Sequence, residues 1–268
     1  MASKPETPRL REIGTSAGTT FYEPHPRAAK KSAEDLEPTR RTLSAIAEAI
    51  GNHLAGRPAD PIPLNGLDQA SRQRIEEILG NGEVDILVSP ARAEIREAAA
   101  PGVWRVRMRD GSGGPPTDVI EVGAFPDVAL RVLERETRGD LEIPEGGEDA
   151  INARAILAEI RHHLVGCRPG AESHSINLSS LPVFPLDMAI IDDVLGLGPV
   201  EALSRGTATC HVASTRCRHV WRVRCHGSDD RLLADMIDIV HIPEAVAATE
   251  EDMRDAADQL ADMIRADL

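Results

Sequence analysis

The sequence predicts an α+β protein made of two tandem homologous repeats, each with helices packed on a small, mostly antiparallel sheet. Three observations predict it. The pentad VWRVR occurs at 103–107 and again at 220–224, and these runs hold both tryptophans, Trp104 and Trp221, of a chain with 2% aromatic residues. Around each pentad the landmarks recur in one order: IEEILGNGEV (75–84) matches IIDDVLGLGPV (190–200), and DVIEVGAFPDVAL (118–130) matches DMIDIVHIPEAVA (235–247). Self-similarity at a fixed spacing marks a repeated unit, and here Trp104 to Asp118 and Trp221 to Asp235 span the same 14 residues. Each copy also runs from helical to alternating apolar spacing and back.

The elements follow in chain order. Residues 1–40 are rich in Pro, Lys, Glu and Thr and poor in aliphatics, so a largely disordered arm is expected; FYEPHPR (21–27), with one of the three phenylalanines and the only tyrosine, offers the alternative of an ordered arm packing on the body. The first repeat spans 41–138. Its first helix carries Leu43, Ile46, Ala47 and Ile50, and its second, about 68–79, has Asp68 as N-cap and Gly80 as stop. Strands are expected at 83–88, 94–98, 103–108 and 118–122, then a helix after Pro126. Residues 139–151 (GDLEIPEGGEDAI) read as an acidic, Gly-rich linker. The second repeat, 152–268, repeats the order: Ile156, Leu157, Ile160 and Leu164 on its first helix, a second helix at about 187–195 stopped by Gly196, strands, and Pro243 opening the final piece. It closes with an acidic amphipathic helix whose stripe is Met253, Ala256, Ala257, Leu260, Met263 and Ile264.

Alternation places Trp104, Val106 and Met108 on one strand face and Arg105 and Arg107 on the other; Trp221, Val223 and Cys225 oppose Arg222 and Arg224 likewise. The structural positions are therefore Trp104, Trp221, Gly80, Gly196, Pro126 and Pro243, with each indole the main large side chain of its own half. The aligned acids Glu121 and Asp238 read either as a solvated strand face or as partners of Arg105 and Arg222.

The net charge of −14 argues against nucleic-acid and anionic-membrane partners, which need basic surface. No stretch is long and apolar enough to span a bilayer, and the N-terminal residues lack a signal core. Arg40-Arg41 precedes an amphipathic helix broken by Glu48 rather than an export signal. Four cysteines (Cys167, Cys210, Cys217, Cys225) are too few for a disulfide framework, so reduced thiols are expected, with Cys225 a small buried hydrophobe in the place of Met108.

The densest chemical stretch is TCHVASTRCRHVWRVRCH (209–226). Thiolates and imidazoles at short spacing could hold zinc or an iron–sulfur cluster, through Cys210, His211, Cys217 and His219, although no C-x-x-C occurs. A single thiol, Cys210 or Cys217, acting in redox chemistry is a further alternative. Catalysis is not expected: GNG and GLG are helix stops, GSGG (111–114) suits a hairpin connection, no G-x-S-x-G elbow is present, and His162-His163 lie on a helix facing solvent or a loop carbonyl. No cofactor is expected.

The second repeat carries LPVFPLDMAIIDDVLGLGPVEAL, GTATCHV, HVWRVRCHGSDDRLLADMIDIVHIPEAV and AATEEDMRDAADQLADM. Together these resemble the C-terminal region of the HupH/HyaF/HoxQ family of [NiFe]-hydrogenase accessory proteins. The resemblance is good over about 181–264 and looser over 64–130, and the first copy lacks both LPVFPL and the cysteine at 210. It implies a cytoplasmic, non-enzymatic, chaperone-like protein of hydrogenase maturation. The implied client is the iron–sulfur small-subunit precursor before export, with a thioredoxin-like accessory protein as a companion. Candidate partner-binding residues are Phe184, Cys210, Arg222, Arg105, Glu201 and Asp238.

Overall fold

The structure, a computed structural model, describes residues 33–89, 91–109, 114–144 and 150–265. Helix α1 (Ala33–Leu54) leads to β1 (Ile62–Pro63), α2 (Gln69–Leu79), β2 (Val84–Val88), β3 (Ala93–Glu97), β4 (Val103–Met108), β5 (Thr117–Val122) and α3 (Asp127–Glu136). Then come α4 (Ile151–Leu164), β6 (His174–Asn177), α5 (Pro185–Leu195), β7 (Leu197–Arg205), β8 (Thr209–Thr215), β9 (Val220–His226), β10 (Leu232–Ile239) and α6 (Glu250–Arg265). All ten strands join one antiparallel sheet in the order β1-β5-β4-β3-β2-β7-β8-β9-β10-β6. The class is α+β, as expected. Counting outward from the β2–β7 seam, each half places its strands in the same sequence, and at the seam Ile86 lies opposite Ala202.

Strand alternation divides the side chains between two faces. On one face lie Val84, Ile86, Val106, Val200, Ala202, Val212 and Val223, with both indoles. This face is a single core, and Phe125 stands between the indoles, 6.1 Å from Trp104 and 6.2 Å from Trp221, edge-on to each. The expectation of one indole per separate interior is thus corrected: the seam strands run continuous hydrogen bonding through the middle, so both tryptophans look onto the same space. Trp104 Nε1–H donates to Gly123 O at 2.8 Å and Trp221 Nε1–H to Val240 O at 3.2 Å, each 19 residues on. Buried indole N–H groups need such partners. Helix α3 carries Val128, Ala129, Val132 and Leu133 over this core and packs against β7, across the seam from its own strands.

The opposite face is covered twice. Helices α1 and α2 bury Leu43, Ile46, Ile50, Ile75 and Leu79 against Val103 and Ile120. Helices α4 and α5 bury Ile156, Leu157, Ile160, Ile191 and Leu195 against Val220, Ile237 and Ile239. Helix α6, expected within the second half, reaches back onto α1, where Met253 and Leu260 complete the first core. Under each helix pair sits a bidentate ion pair. Arg105 donates to Asp118 at 3.0 and 2.8 Å with Glu76 of α2 at 2.7 Å, and Arg222 donates to Asp235 at 2.5 and 2.6 Å with Asp192 of α5 at 3.4 Å. Forked pairs of this kind add geometric specificity.

These pairs correct the alternative that set Glu121 and Asp238 against the arginines. Both acids lie on the indole face, opposite Trp104 and Trp221. There Glu121 Oε2 accepts the Val128 N–H at 3.1 Å, at the start of α3 behind Pro126. The equivalent piece behind Pro243 is one 3-10 turn, Glu244–Val246, and the chain then extends so that Ala248 N–H donates to Ala124 O. Helix α1 begins at Ala33, within the segment expected as an arm, and FYEPHPR lies outside the described residues, as do most of GSGG and residues 145–149. Leu141, inside the expected linker, is buried in the α4–α5 core.

The paired glycines have a steric cause. Gly80 and Gly196 end α2 and α5 with φ of 59° and 57°, a region side chains disfavour. Two residues on, a Cβ at Gly82 would sit 2.4 Å from Ala98 O, and one at Gly198 2.3 Å from Thr215 O. Gly102 before β4 has φ 76°, and His219 before β9 holds φ 66°. Among the described residues no helix is long and apolar enough to cross a membrane.

Backbone carbonyls cannot yield as side chains do. Gly82→Ala and Gly198→Ala should therefore each lower unfolding free energy by about 1–3 kcal/mol, measured by urea denaturation. Gly139→Ala, where nothing lies within 4 Å of the new methyl, should change it little.

Candidate functional site

Because the two helix pairs stand apart, no element among the described residues covers the seam on their face. A groove of about 440 Å³ lies there, walled by Ile75, Glu76 and Leu79 and floored by strands β3, β2, β7 and β8. Alternation aims Asp85 and Leu87 of β2, Glu94 and Arg96 of β3, Glu201, Leu203 and Arg205 of β7, and His211 of β8 into it. Leu87 is 58% exposed, a large apolar side chain that with Leu203 interrupts a largely charged floor. Asp85 ties the floor across the seam, accepting from Arg96 Nε at 2.9 Å and from Arg205 Nη1 at 2.5 Å. Burial alone would raise its carboxyl, but the hydrogen bonds from Arg205 and Arg96 hold it below its usual range. The groove thus offers a fixed pattern of paired charges around an apolar centre.

A second surface lies where α4 and α5 begin. Asp187 accepts the N–H groups of Phe184 at 3.0 Å and Ala153 at 2.9 Å, joining the two helix starts. Those N–H groups, Phe184 first, keep the Asp187 carboxyl below its usual range. Asn152 Nδ2 donates to Pro182 O at 2.9 Å. This fixes the LPVFPL segment with Phe184 63% exposed, beside exposed Leu181, Leu186 and Ile151. Prolines at both 182 and 185 leave it few alternative paths.

The structure separates the candidate partner-binding residues. Arg105 and Glu201 line the groove. Arg222 lies on the same face but under α5, its side chain 12% exposed and occupied by Asp235 and Asp192. Phe184 is at the α5 start, whereas Cys210 and Asp238 belong to the indole face. Asp238 is half-buried; burial pushes its carboxyl up, as it does for Glu121.

The Cys/His stretch also disperses. Strands β8 and β9 pair in a register that sets Cys210 directly opposite Cys225, with Cα atoms 4.1 Å apart, and the two form a disulfide. This corrects the expectation of reduced thiols, and that of Cys225 as a plain buried hydrophobe. Cys217 is buried in the α4–α5 core, where its Sγ donates to Asp140 O at 3.4 Å and burial pushes the thiol up to about 11. His219 lies half-buried beside His241, and His211 is exposed on the groove face near His226. The four-residue metal set of Cys210, His211, Cys217 and His219 therefore does not converge: one thiol is oxidised, one is sealed in a core, and the imidazoles point elsewhere. Sequence alternation gave Cys225 its face, but only the β8–β9 register reveals its partner.

The chain is similar to known proteins over most of its length. The model of the "HupH hydrogenase expression protein, C-terminal conserved region" family matches residues 36–136 and again 150–266. The chain is 33% identical to the hydrogenase expression/formation protein HoxQ of Cupriavidus necator, over 98% of this chain and 93% of that protein. It is 34% identical to the hydrogenase expression/formation protein HupH of Rhizobium leguminosarum bv. viciae, over 88% and 86%, and 31% identical to the hydrogenase-1 operon protein HyaF of Escherichia coli, over 85% and 78%. Among solved structures, the hydrogenase expression protein HupH from Thiobacillus denitrificans is 27% identical with a TM-score of 0.40, covering 44% of this chain and 97% of that one.

The thiol environments set a chemical expectation. Peptide mapping under non-reducing conditions should recover Cys210 and Cys225 cross-linked. In the native protein, iodoacetamide should label Cys217 slowly up to pH 9, with the rate rising only as pH approaches 11. Rapid labelling of Cys217 at neutral pH would contradict its placement in the core.

Proposed function

This chain belongs to the family of HupH hydrogenase expression proteins, and from that premise we propose that it is an accessory protein of [NiFe]-hydrogenase maturation that works by binding. Its client in this reading is the iron–sulfur small-subunit precursor, held in the cytoplasm before export, with a thioredoxin-like accessory protein as companion. The observation that carries the reading is sequence identity to hydrogenase expression/formation proteins along nearly the whole chain.

The geometry supports binding over catalysis. Many of the charged groups of the groove are engaged in ion pairs: Arg105 and Arg107 with Asp118 and Glu76, Arg96 and Arg205 with Asp85. These ion pairs set a pattern of shape and charge around Leu87 and Leu203, and Glu94, Glu201 and His211 face the groove beside them. The Phe184 surface supplies an exposed apolar anchor of the type that concentrates binding energy. In this reading the two halves descend from one duplicated unit, and the second has acquired LPVFPL as its client-contacting specialisation.

Affinity-tagged small-subunit precursor, expressed with this chain, should co-purify it. Phe184→Asp should lower recovery by about 10-fold or more while leaving thermal unfolding unchanged, since loss of a central anchor costs ~2 kcal/mol or more. Equal recovery of both, or no recovery of either, would contradict the proposal.

A further inference from the structure

The outer edge of the second half brings together three side chains that the binding reading does not use. Strand β6 ends the sheet, and among the described residues nothing pairs beyond it. Ile176 of β6 is buried beneath α4, and alternation puts His174, two residues earlier, on that same face at the strand's start. Helix α4 buries Ile156 and Ile160; Glu159 and His163, one turn apart, share its neighbouring stripe. As a result His174 Nε2 lies 2.7 Å from Glu159 Oε1, and the His163 and His174 rings stack 3.5 Å apart with planes 7° from parallel. One donor atom from each of the three lies within 4.8 Å of the others.

A carboxylate–imidazole pair accounts for Glu159 and His174 alone. It does not account for a second imidazole brought flat against the first beside the same carboxylate. We propose that Glu159, His163 and His174 form a binding site for a divalent first-row transition ion of the Zn²⁺ class. Two imidazoles and one carboxylate are the donor set such ions prefer, whereas Mg²⁺ and Ca²⁺ favour all-oxygen sites. Donors of a tetrahedral zinc site stand about 3.4 Å apart when the bonds are about 2.1 Å. Rings that are only half-buried reach that spacing by small χ rotations. His163 lies in the last turn of α4, where the helix dipole favours positive charge. Three protein ligands at an open sheet edge leave a fourth position for water or an exchangeable donor. The site is remote from the disulfide, which is on the other face of the sheet.

Titration of the full-length, disulfide-intact protein with Zn²⁺, followed calorimetrically, should show one more equivalent bound than in a His163→Ala/His174→Ala variant. Co²⁺ should give d–d absorption in the wild type that the variant lacks. Glu159→Gln, a substitution at an exposed position, should weaken binding by more than the ~10–100-fold that loss of an outer-shell partner costs. Zn²⁺ should also protect His163 and His174 of the wild type from diethyl pyrocarbonate, a readout that needs no variant to fold. Identical stoichiometry and affinity in wild type and double variant, or carbethoxylation of both histidines unaffected by Zn²⁺, would overturn the proposal. Neither result depends on a hydrogenase client.

Discussion

The contact of Phe125 with Trp104 and Trp221 is the constraint on which the rest of the molecule depends. The chain has two Trp, three Phe and one Tyr, and this contact holds three of those six. Aromatic side chains bury roughly 150–250 Å² each, far more than the alanines and valines around them. In a protein so poor in aromatics, the one place among the described residues where three meet is where the interior is fixed. Phe125 comes from the turn after β5, yet it touches the indole of β9. The first half therefore cannot close its interior without the second.

That shared core shapes the other face. With α3 and the 3-10 turn of 244–246 lying over the indoles, the remaining helices are left as two groups on the opposite side, α1 and α2 with α6, and α4 with α5, each seated over its own arginine–aspartate fork. Among the described residues the seam between them is spanned on this face by strands and by no helix, and the groove lies there for that reason. Crosswise ties hold the halves together beyond the core: α6 returns to α1, Ala248 N–H binds Ala124 O, and Arg138 pairs with the backbone of Arg216 and Arg218. Relative motion of the halves would break hydrogen bonds in β2 and β7 as well as these ties. The groove is accordingly a rigid surface, suited to recognising a client by complementarity at low ordering cost.

Much of this was legible in the sequence because it is local. Asp68 and Gly80 bound α2 as their cap chemistry requires, and the strands 103–108 and 118–122 coincide within a residue with β4 and β5. The faces of Trp104 and Arg105 follow from alternation alone. What escaped was set by pairing between distant strands. Internal similarity is equally consistent with two separate interiors and with one shared across a seam, so it could not place Phe125 between the indoles. Period-two spacing likewise says which face Cys225 occupies but not that Cys210 stands opposite. For Glu121 and Asp238 the sequence leaves open a solvated strand face or a pairing with the arginines, and the strand register puts both acids on the indole side instead. Glu159 and His163 were one turn apart in plain view, but His174 joins them only because β6 is the edge strand under α4.

The claim that one aromatic contact unites both halves can be measured with each indole as a reporter. In Trp221→Phe the remaining fluorescence comes from Trp104, and in Trp104→Phe from Trp221. Adding Phe125→Ala to each background should move both urea transitions to lower denaturant by the same free energy, about 3–5 kcal/mol. A loss seen by Trp104 while the Trp221 transition stays in place would show two independent interiors and contradict the account.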